Sequence, residues 1–197
     1  MSSTQYYVAQ TLDGYIADSD GGLDWLQRYD GESTIDASEA PGRDRDAHPM
    51  ATDSAYDRFF AEVGVLAMGS ATYEFILAEA HERWPYEGTP SWVFSSRELP
   101  VPEGADVRFA RGAVQPVHEE MSAAAGERNV WIVGGGDLAM QFADEDMLDE
   151  LHLTVVPVVL GEGLPTFPRR LRRRLRLAGT RPFRNGMVEL RYEVVAA

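Results

Sequence analysis

The sequence predicts an α/β fold: a mostly parallel central sheet with helices on both faces and an antiparallel hairpin at the C-terminal end. Short apolar runs alternate with segments of helical periodicity, which implies parallel strands joined by helices. Several of these runs end in Gly or Ser directly before a helix. The closing segment alternates apolar and polar residues after Asn185-Gly186, a strong hairpin-turn signal.

Tyr6 to Gln10 is rich in strand formers and runs into "LDGYIADSDGG", whose Asp and Gly supply turn chemistry for an acidic loop. Residues 27–50 are polar, broken by Gly31, Pro41, Gly42 and Pro49, and read as a long surface insertion. Asp53 can cap a helix carrying Tyr56, Phe59, Phe60 and Val63 at helical spacing. "VGVLAMGS" suits a buried strand. Ser70 can cap the helix "ATYEFILAEA". "SWVFSS" and Val107–Ala110 read as strands, Val114–Ala125 as a helix. "NVWIVGGG" is a buried strand ending in three glycines, followed by the helix "DLAMQFADE". "ELHLTVVPVVLGEG" is strand-rich, and "MVELRYEVV" closes the hairpin.

The 197 residues include 18 Arg, no Lys and 32 acidic side chains, for a net charge of −14, and are 44% hydrophobic. That length predicts one domain over residues 1–197, able to bury about 70% of its extended-chain surface without a metal or disulfide staple. The composition argues against disorder. The charge is uneven: residues 1–162 hold 9 Arg and 30 acids, residues 163–197 hold 9 Arg and 2 acids. Six of the late arginines fall in the run Arg169–Arg176. Three readings stand for this block: pairing with acidic neighbours within the chain or across a dimer, holding a substrate phosphate, or meeting nucleic acid. The overall acidity argues against a nucleic-acid partner.

The chain has no Cys, which excludes disulfides, thiolate nucleophiles, Cys-containing zinc sites and iron–sulfur clusters. His48, His81, His118 and His152 follow neither HExxH nor His-x-His spacing, so no metal centre is expected. No apolar stretch of about 18 residues and no basic leader occurs, and the expectation is a cytoplasmic protein without a membrane partner.

Gly134, Gly135 and Gly136 follow a buried strand and precede a helix. Without β-carbons the backbone can approach a pyrophosphate, and a helix start offers free N–H groups and a positive dipole end; a tight strand-to-helix turn needs the same residues. Gly69-Ser70-Ala71-Thr72 repeats the arrangement, so two helix starts on one sheet edge could hold two phosphates of a dinucleotide. Ser95, Ser96 and Arg97 place hydroxyls and a guanidinium at a third strand end, suited to a ribose phosphate or to a simple turn. Asp53 is a candidate proton donor and substrate carboxylate or else an N-cap. Asp24, beside Trp25, is a second candidate acid or an exposed loop residue.

These strand ends, together with "AQTLDGYIA", "MGSATYE" and "LHLTVV", resemble the dihydrofolate reductase fold family over nearly the whole chain. "TLDGYIA" and "LTVVPVVLGEGLPTF" look most like the C-terminal reductase domain of bifunctional riboflavin-biosynthesis enzymes. The resemblance implies an NADPH-dependent reductase, a homodimer, acting on a small pyrimidine such as 5-amino-6-(5-phosphoribosylamino)uracil. Its alternatives are a dihydrofolate or pterin reductase, or a non-catalytic nucleotide-binding protein that kept the fold. The implied cofactor residues are Gly69, Ser70, Ala71 and Thr72; Val133, Gly134, Gly135, Gly136 and Leu138; Ser95, Ser96 and Arg97 along the adenosine ribose; Gln141 toward adenine; and Ala9 and Ile16 beside nicotinamide. Asp13, Trp25 and Thr154 are implied on the substrate side, and a cis peptide is implied between two of the glycines. Ser70 stands where such reductases usually carry Arg or Lys, so NADPH preference leans on Arg97. Asp137 stands at an often basic position and is expected to cap the helix.

Overall fold

A computed structural model describes residues 2–27, 55–79, 84–183 and 185–196. The strands are β1 (Thr4–Thr11), β2 (Tyr15–Ala17), β3 (Val63–Gly69), β4 (Ser91–Phe94), β5 (Val107–Ala110), β6 (Asn129–Gly134), β7 (Glu150–Val156), β8 (Leu164–Pro165), β9 (Arg174–Pro182) and β10 (Val188–Val195). The helices are α1 (Asp24–Gln27), α2 (Ala55–Ala61), α3 (Ser70–Glu79), α4 (Val114–Ala125) and α5 (Gly136–Asp144). The main sheet has eight strands in the order β5-β4-β3-β6-β1-β7-β10-β9, and β2 pairs with β8 in a small second sheet. From β5 to β7 every pairing is parallel. Within the main sheet β7–β10 and β10–β9 are antiparallel, and β9–β10 is the C-terminal hairpin that the alternating sequence implied; β2–β8 is antiparallel as well.

Strand periodicity divides the core between the two faces. Val65, Ala67, Ile132 and Tyr6 turn toward Val114 and Met121 of α4 and Leu138 and Phe142 of α5. Leu66, Met68, Val93 and Trp131 turn the other way, toward Phe59 and Phe60 of α2 and Tyr73 and Ile76 of α3. A third cluster caps the C-terminal end of β7, where Trp25 of α1 packs with Val156 and Met187. Each fully buried large side chain here contributes on the order of 1.5–3 kcal/mol relative to exposure. No helix among the described residues is long and apolar enough to cross a membrane, and no cluster of metal-ligating side chains occurs among them.

The hairpin turn forms as the Asn-Gly pair implied. Gly186 sits at φ 89°, and the Asn185 carboxamide oxygen accepts from the Met187 N–H at 3.2 Å.

Several boundaries differ from the sequence reading. Val63 opens β3 opposite Asn129 and does not close the preceding helix, which ends at Ala61; it is buried beside the Phe59 and Phe60 rings, so the apolar spacing crosses an element boundary. Ser70 is the first residue of α3 itself. The apolar run through "VPVVLGEG" is not one strand: β7 stops at Val156, before Pro157, which has no N–H for a ladder. Tyr15–Ala17 and Asp24–Gln27, read as loop, form β2 and α1. No peptide bond among the described residues is cis, so the cis bond expected between the glycines is absent; Gly135, at φ 84°, turns the chain instead. Asp53 lies outside the described residues.

Among the described residues, three of the six arginines in the block Arg169–Arg176 neutralise neighbours within the chain. Arg169 pairs with Asp137 and Asp144, Arg173 with Asp146 and Arg176 with Glu193. Of the block, residues from Arg174 onward form the strand β9, whereas 169–173 lie irregularly near α5.

Candidate functional site

Strand order creates a crevice at the C-terminal edge of the sheet. From β3 the chain leaves through α3 to β4 on one side; from neighbouring β6 it leaves through α5 to β7, beyond β1 on the other. These two crossovers run in opposite directions across the sheet, so α3 and α5 cover opposite faces, and their first turns flank the point where the winding reverses. Open α/β sheets bind ligands at such a point.

The two glycine junctions meet there. Met68 pairs in register with Gly134, and a β-carbon on Gly134 would lie 2.7 Å from Thr72 Oγ1. The absence of a side chain at Gly134 is therefore what lets the first turn of α3 close onto the end of β6. Gly69 faces open space, with nothing within 4 Å of where its β-carbon would be. A β-carbon on Gly136 would run into the carbonyls of Pro165 and Thr166, so β8 abuts the start of α5. Val133 is half-buried beside the glycines, whereas Leu138 points into the core on the α4–α5 face.

Charges around the crevice are already engaged. Arg97 holds Glu74 of α3 with two hydrogen bonds, at 2.9 and 2.6 Å, and these hydrogen bonds raise its guanidinium above the ordinary range. Ser95 closes a local turn: its hydroxyl accepts from the Arg97 N–H at 2.9 Å and donates to the Arg97 carbonyl at 3.0 Å. Ser96 and Ala71 are exposed. Asp137 does not cap α5; Gly135 occupies the N-cap without a side-chain bond. The Asp137 carboxylate instead accepts from Gln141 at 2.8 Å and pairs with Arg169, which lowers its pKa, Gln141 contributing most. The acid at the helix start is thus neutralised by an arginine from 32 residues away. A cavity of about 680 Å³ lined by Asp144, Arg169, Arg170 and Arg172 lies against the other end of α5, away from the glycine junctions.

The floor is built by β1 and β7. Ala9 is half-buried beside Thr154 in parallel register, and the Thr154 hydroxyl hydrogen-bonds Tyr7. Burial, and next the nearby Glu189 carboxylate, raises the Tyr7 hydroxyl pKa. Trp25 is 7% exposed and packs in the cluster that includes Ala9, and its indole N–H is buried without an acceptor. Asp24 is exposed on α1.

Asp13 has a different employment. Its carboxylate accepts from Thr11 Oγ1 at 2.6 Å and from the Gly161 N–H at 2.7 Å, and these bonds, Thr11 first, hold its pKa below the ordinary value. It ties the β1–β2 turn to the loop before β8. Ile16 lies in β2, half-buried.

Residues 4–189 match the family described as RibD C-terminal domain. The chain belongs to this family. YwjB of Bacillus subtilis (strain 168), an uncharacterized protein, is 32% identical over 190 residues, covering 96% of each chain. A provisionally assigned riboflavin biosynthesis protein from Shewanella sp. PV-4 has a structure with a TM-score of 0.73 at 26% identity, covering 98% of both chains. The dihydrofolate reductase of Enterococcus faecalis, solved with NADP(H), aligns with a TM-score of 0.59 at 17% identity over 98% of this chain and 96% of that one. The α/β architecture expected from the motifs is therefore the dihydrofolate reductase-like one.

Sequence reasoning missed Glu74, Tyr7, Arg169 and Glu189 at this site. Glu74 sits four residues past Ser70, where helical spacing alone places it above the first turn; the others come from strands and loops whose neighbours only strand order reveals.

Proposed function

We propose that the chain is an NADPH-dependent reductase of a pyrimidine ring, of the 5-amino-6-(5-phosphoribosylamino)uracil class or a close analogue. The observation that carries this reading is the meeting of the two glycine junctions, Gly69–Thr72 and Gly134–Gly136, at the winding reversal. Open space beside Gly69 fits a group that needs close backbone approach, while the missing β-carbon at Gly134 is taken up by Thr72, which brings the two junctions together. The first turns of α3 and α5 would hold its pyrophosphate, with Ser96 and Arg97 toward the ribose phosphate and Gln141 toward adenine. When bound, the cofactor supplies a hydride.

The chain's own residues would do the rest. Ala9 presents only a methyl group, which leaves room for a flat ring to lie against β1. Thr154 and Tyr7 offer a hydroxyl pair along the floor, and Trp25 screens one side from water. Asp53 and Asp24 remain the candidate acids for the proton that accompanies hydride transfer.

The pairing of Arg97 with Glu74 favours a second reading, in which NADH serves about as well as NADPH. A melting experiment with each nicotinamide cofactor separates the two. At a concentration 100 times Kd, binding adds about 2.7 kcal/mol of stability, so a clear upward shift with NADPH is expected. No shift with either cofactor would sink the reductase reading. Following cofactor oxidation with the phosphoribosylamino-uracil against dihydrofolate then identifies the ring.

A further inference from the structure

One row of the sheet continues past the expected site residues. Ala9 pairs with Thr154, Thr154 with Glu189 and Glu189 with Arg181, across β1, β7, β10 and β9. Residues laterally opposite in a sheet share a face. Here that face is the one carrying Tyr7 and Trp131, because the alternate residues Leu153 and Leu190 pack on the α4–α5 side. The family resemblance implies Ala9 and Thr154 as site residues; Glu189 and Arg181 extend the same strip onto the C-terminal hairpin.

The strip is incompletely satisfied. The Glu189 side chain is 12% exposed, and its contact with Arg181 Nη2 is 3.7 Å, beyond a hydrogen bond. No donor among the described residues hydrogen-bonds it. Arg181 Nη1 is buried with no acceptor, as is the indole N–H of Trp25, which packs with Ala9 at the head of the strip. A carboxylate only 12% exposed and without an N–H hydrogen bond, and buried N–H groups without acceptors, each cost free energy. One ligand edge can meet the hairpin pair: an N–H for the Glu189 carboxylate beside a carbonyl oxygen for Arg181 Nη1.

Resting on the reductase reading, we propose that Glu189 and Arg181 are substrate-recognition residues that select a neutral ring with an N–H next to a carbonyl, the lactam edge of a uracil-type heterocycle. Glu189 accepts the ring N–H, and Arg181 Nη1 donates to the carbonyl. Both lie outside the glycine junctions, so cofactor binding is independent of them.

Calorimetric titration of the whole chain with 6-aminouracil, without cofactor and with saturating NADPH, tests this. The wild type should bind the probe. Glu189→Gln, which removes the charge and turns one acceptor oxygen into an NH2 donor, should weaken it tenfold or more, and Arg181→Gln should weaken it severalfold. NADPH affinity should stay within twofold in both. A purely structural ion pair would lower the melting temperature and leave probe affinity in the folded protein unchanged, which would overturn the proposal, as would a wild type that ignores 6-aminouracil. If Glu189→Gln does not fold, Arg181→Gln, on the outer strand, decides the matter by the same titration. Failure to bind NADPH alongside Glu189-dependent probe binding would remove the reductase reading instead, so the two failures are distinguishable.

Discussion

Gly134 and Thr72, 62 positions apart in the sequence, touch where two strand-to-helix junctions meet: a β-carbon on the glycine would lie 2.7 Å from the threonine hydroxyl. This contact sets the spacing between the first turns of α3 and α5, the feature on which the cofactor reading depends.

Gly134→Ala forces a methyl into that contact. Overpacking of this kind costs about 1–3 kcal/mol, and displacing the first turn of α3 should weaken NADPH binding at least tenfold. Denaturant melts and cofactor titration check both. Thr72→Ala in the same chain should recover much of the stability, because it removes the atoms the methyl meets; no recovery would show that the strain lies elsewhere.

Glu74→Gln releases Arg97 from a charged partner. Both side chains are about half exposed, so screening keeps the effect small. The ratio of NADPH to NADH affinity should rise roughly two- to fivefold, and Arg97→Gln should lower it. An unchanged ratio in both variants would place the 2′-phosphate away from the end of β4.

Asp13→Asn removes the carboxylate that collects Thr11 Oγ1 and the N–H groups of Leu160 and Gly161. The expected result is faster amide exchange at Leu160 and Gly161, with the β1–β7 amides unchanged, since the tie is local. A large loss of turnover with unaltered exchange would instead assign Asp13 to substrate.

His118 makes stability depend on pH. Its Nε2 lies 2.8 Å from Thr4 Oγ1, and burial, outweighing the nearby Asp149 and Glu119, holds its pKa below the ordinary 6.5. The folded chain thus binds the proton less readily than the unfolded one. Its contribution is fully present above about pH 6.5 and is lost as pH falls through the lowered folded value. Melts between about pH 7 and pH 5 should show falling stability, and His118→Gln should flatten that slope. Asp13, Asp137 and Glu150, whose pKa values are also lowered, act at lower pH, below the ordinary carboxylate values of 3.8 and 4.5.

The glycine turns and the hairpin turn were legible because each depends on local chemistry, whereas Ala9 and Thr154 entered only through the family resemblance. Glycine before a helix start, Asn-Gly before an alternating segment and apolar runs of strand formers act over a few residues. Boundaries were less legible where one apolar cluster spans two elements: Val63 packs with Phe59 and Phe60 yet begins β3. The cap assigned to Asp137 failed because α5 begins at Gly136 with Gly135 as its N-cap, which puts Asp137 inside the helix, where its carboxylate meets Gln141 and Arg169.

By itself, then, the sequence determined the succession of strands and helices from β3 to β7, the chemistry of each strand end and the placing of basic residues in the last segment. Only the tertiary structure decided which ends meet. The insertion of β6 between β3 and β1 brings Gly134 against Thr72, the partner of Arg97 is Glu74, and the row from Ala9 to Arg181 crosses four strands. The physical reason is the range of the forces involved. Turn and cap preferences act within a few residues, whereas strand pairing and ion pairing join residues brought close by burying both faces of one sheet.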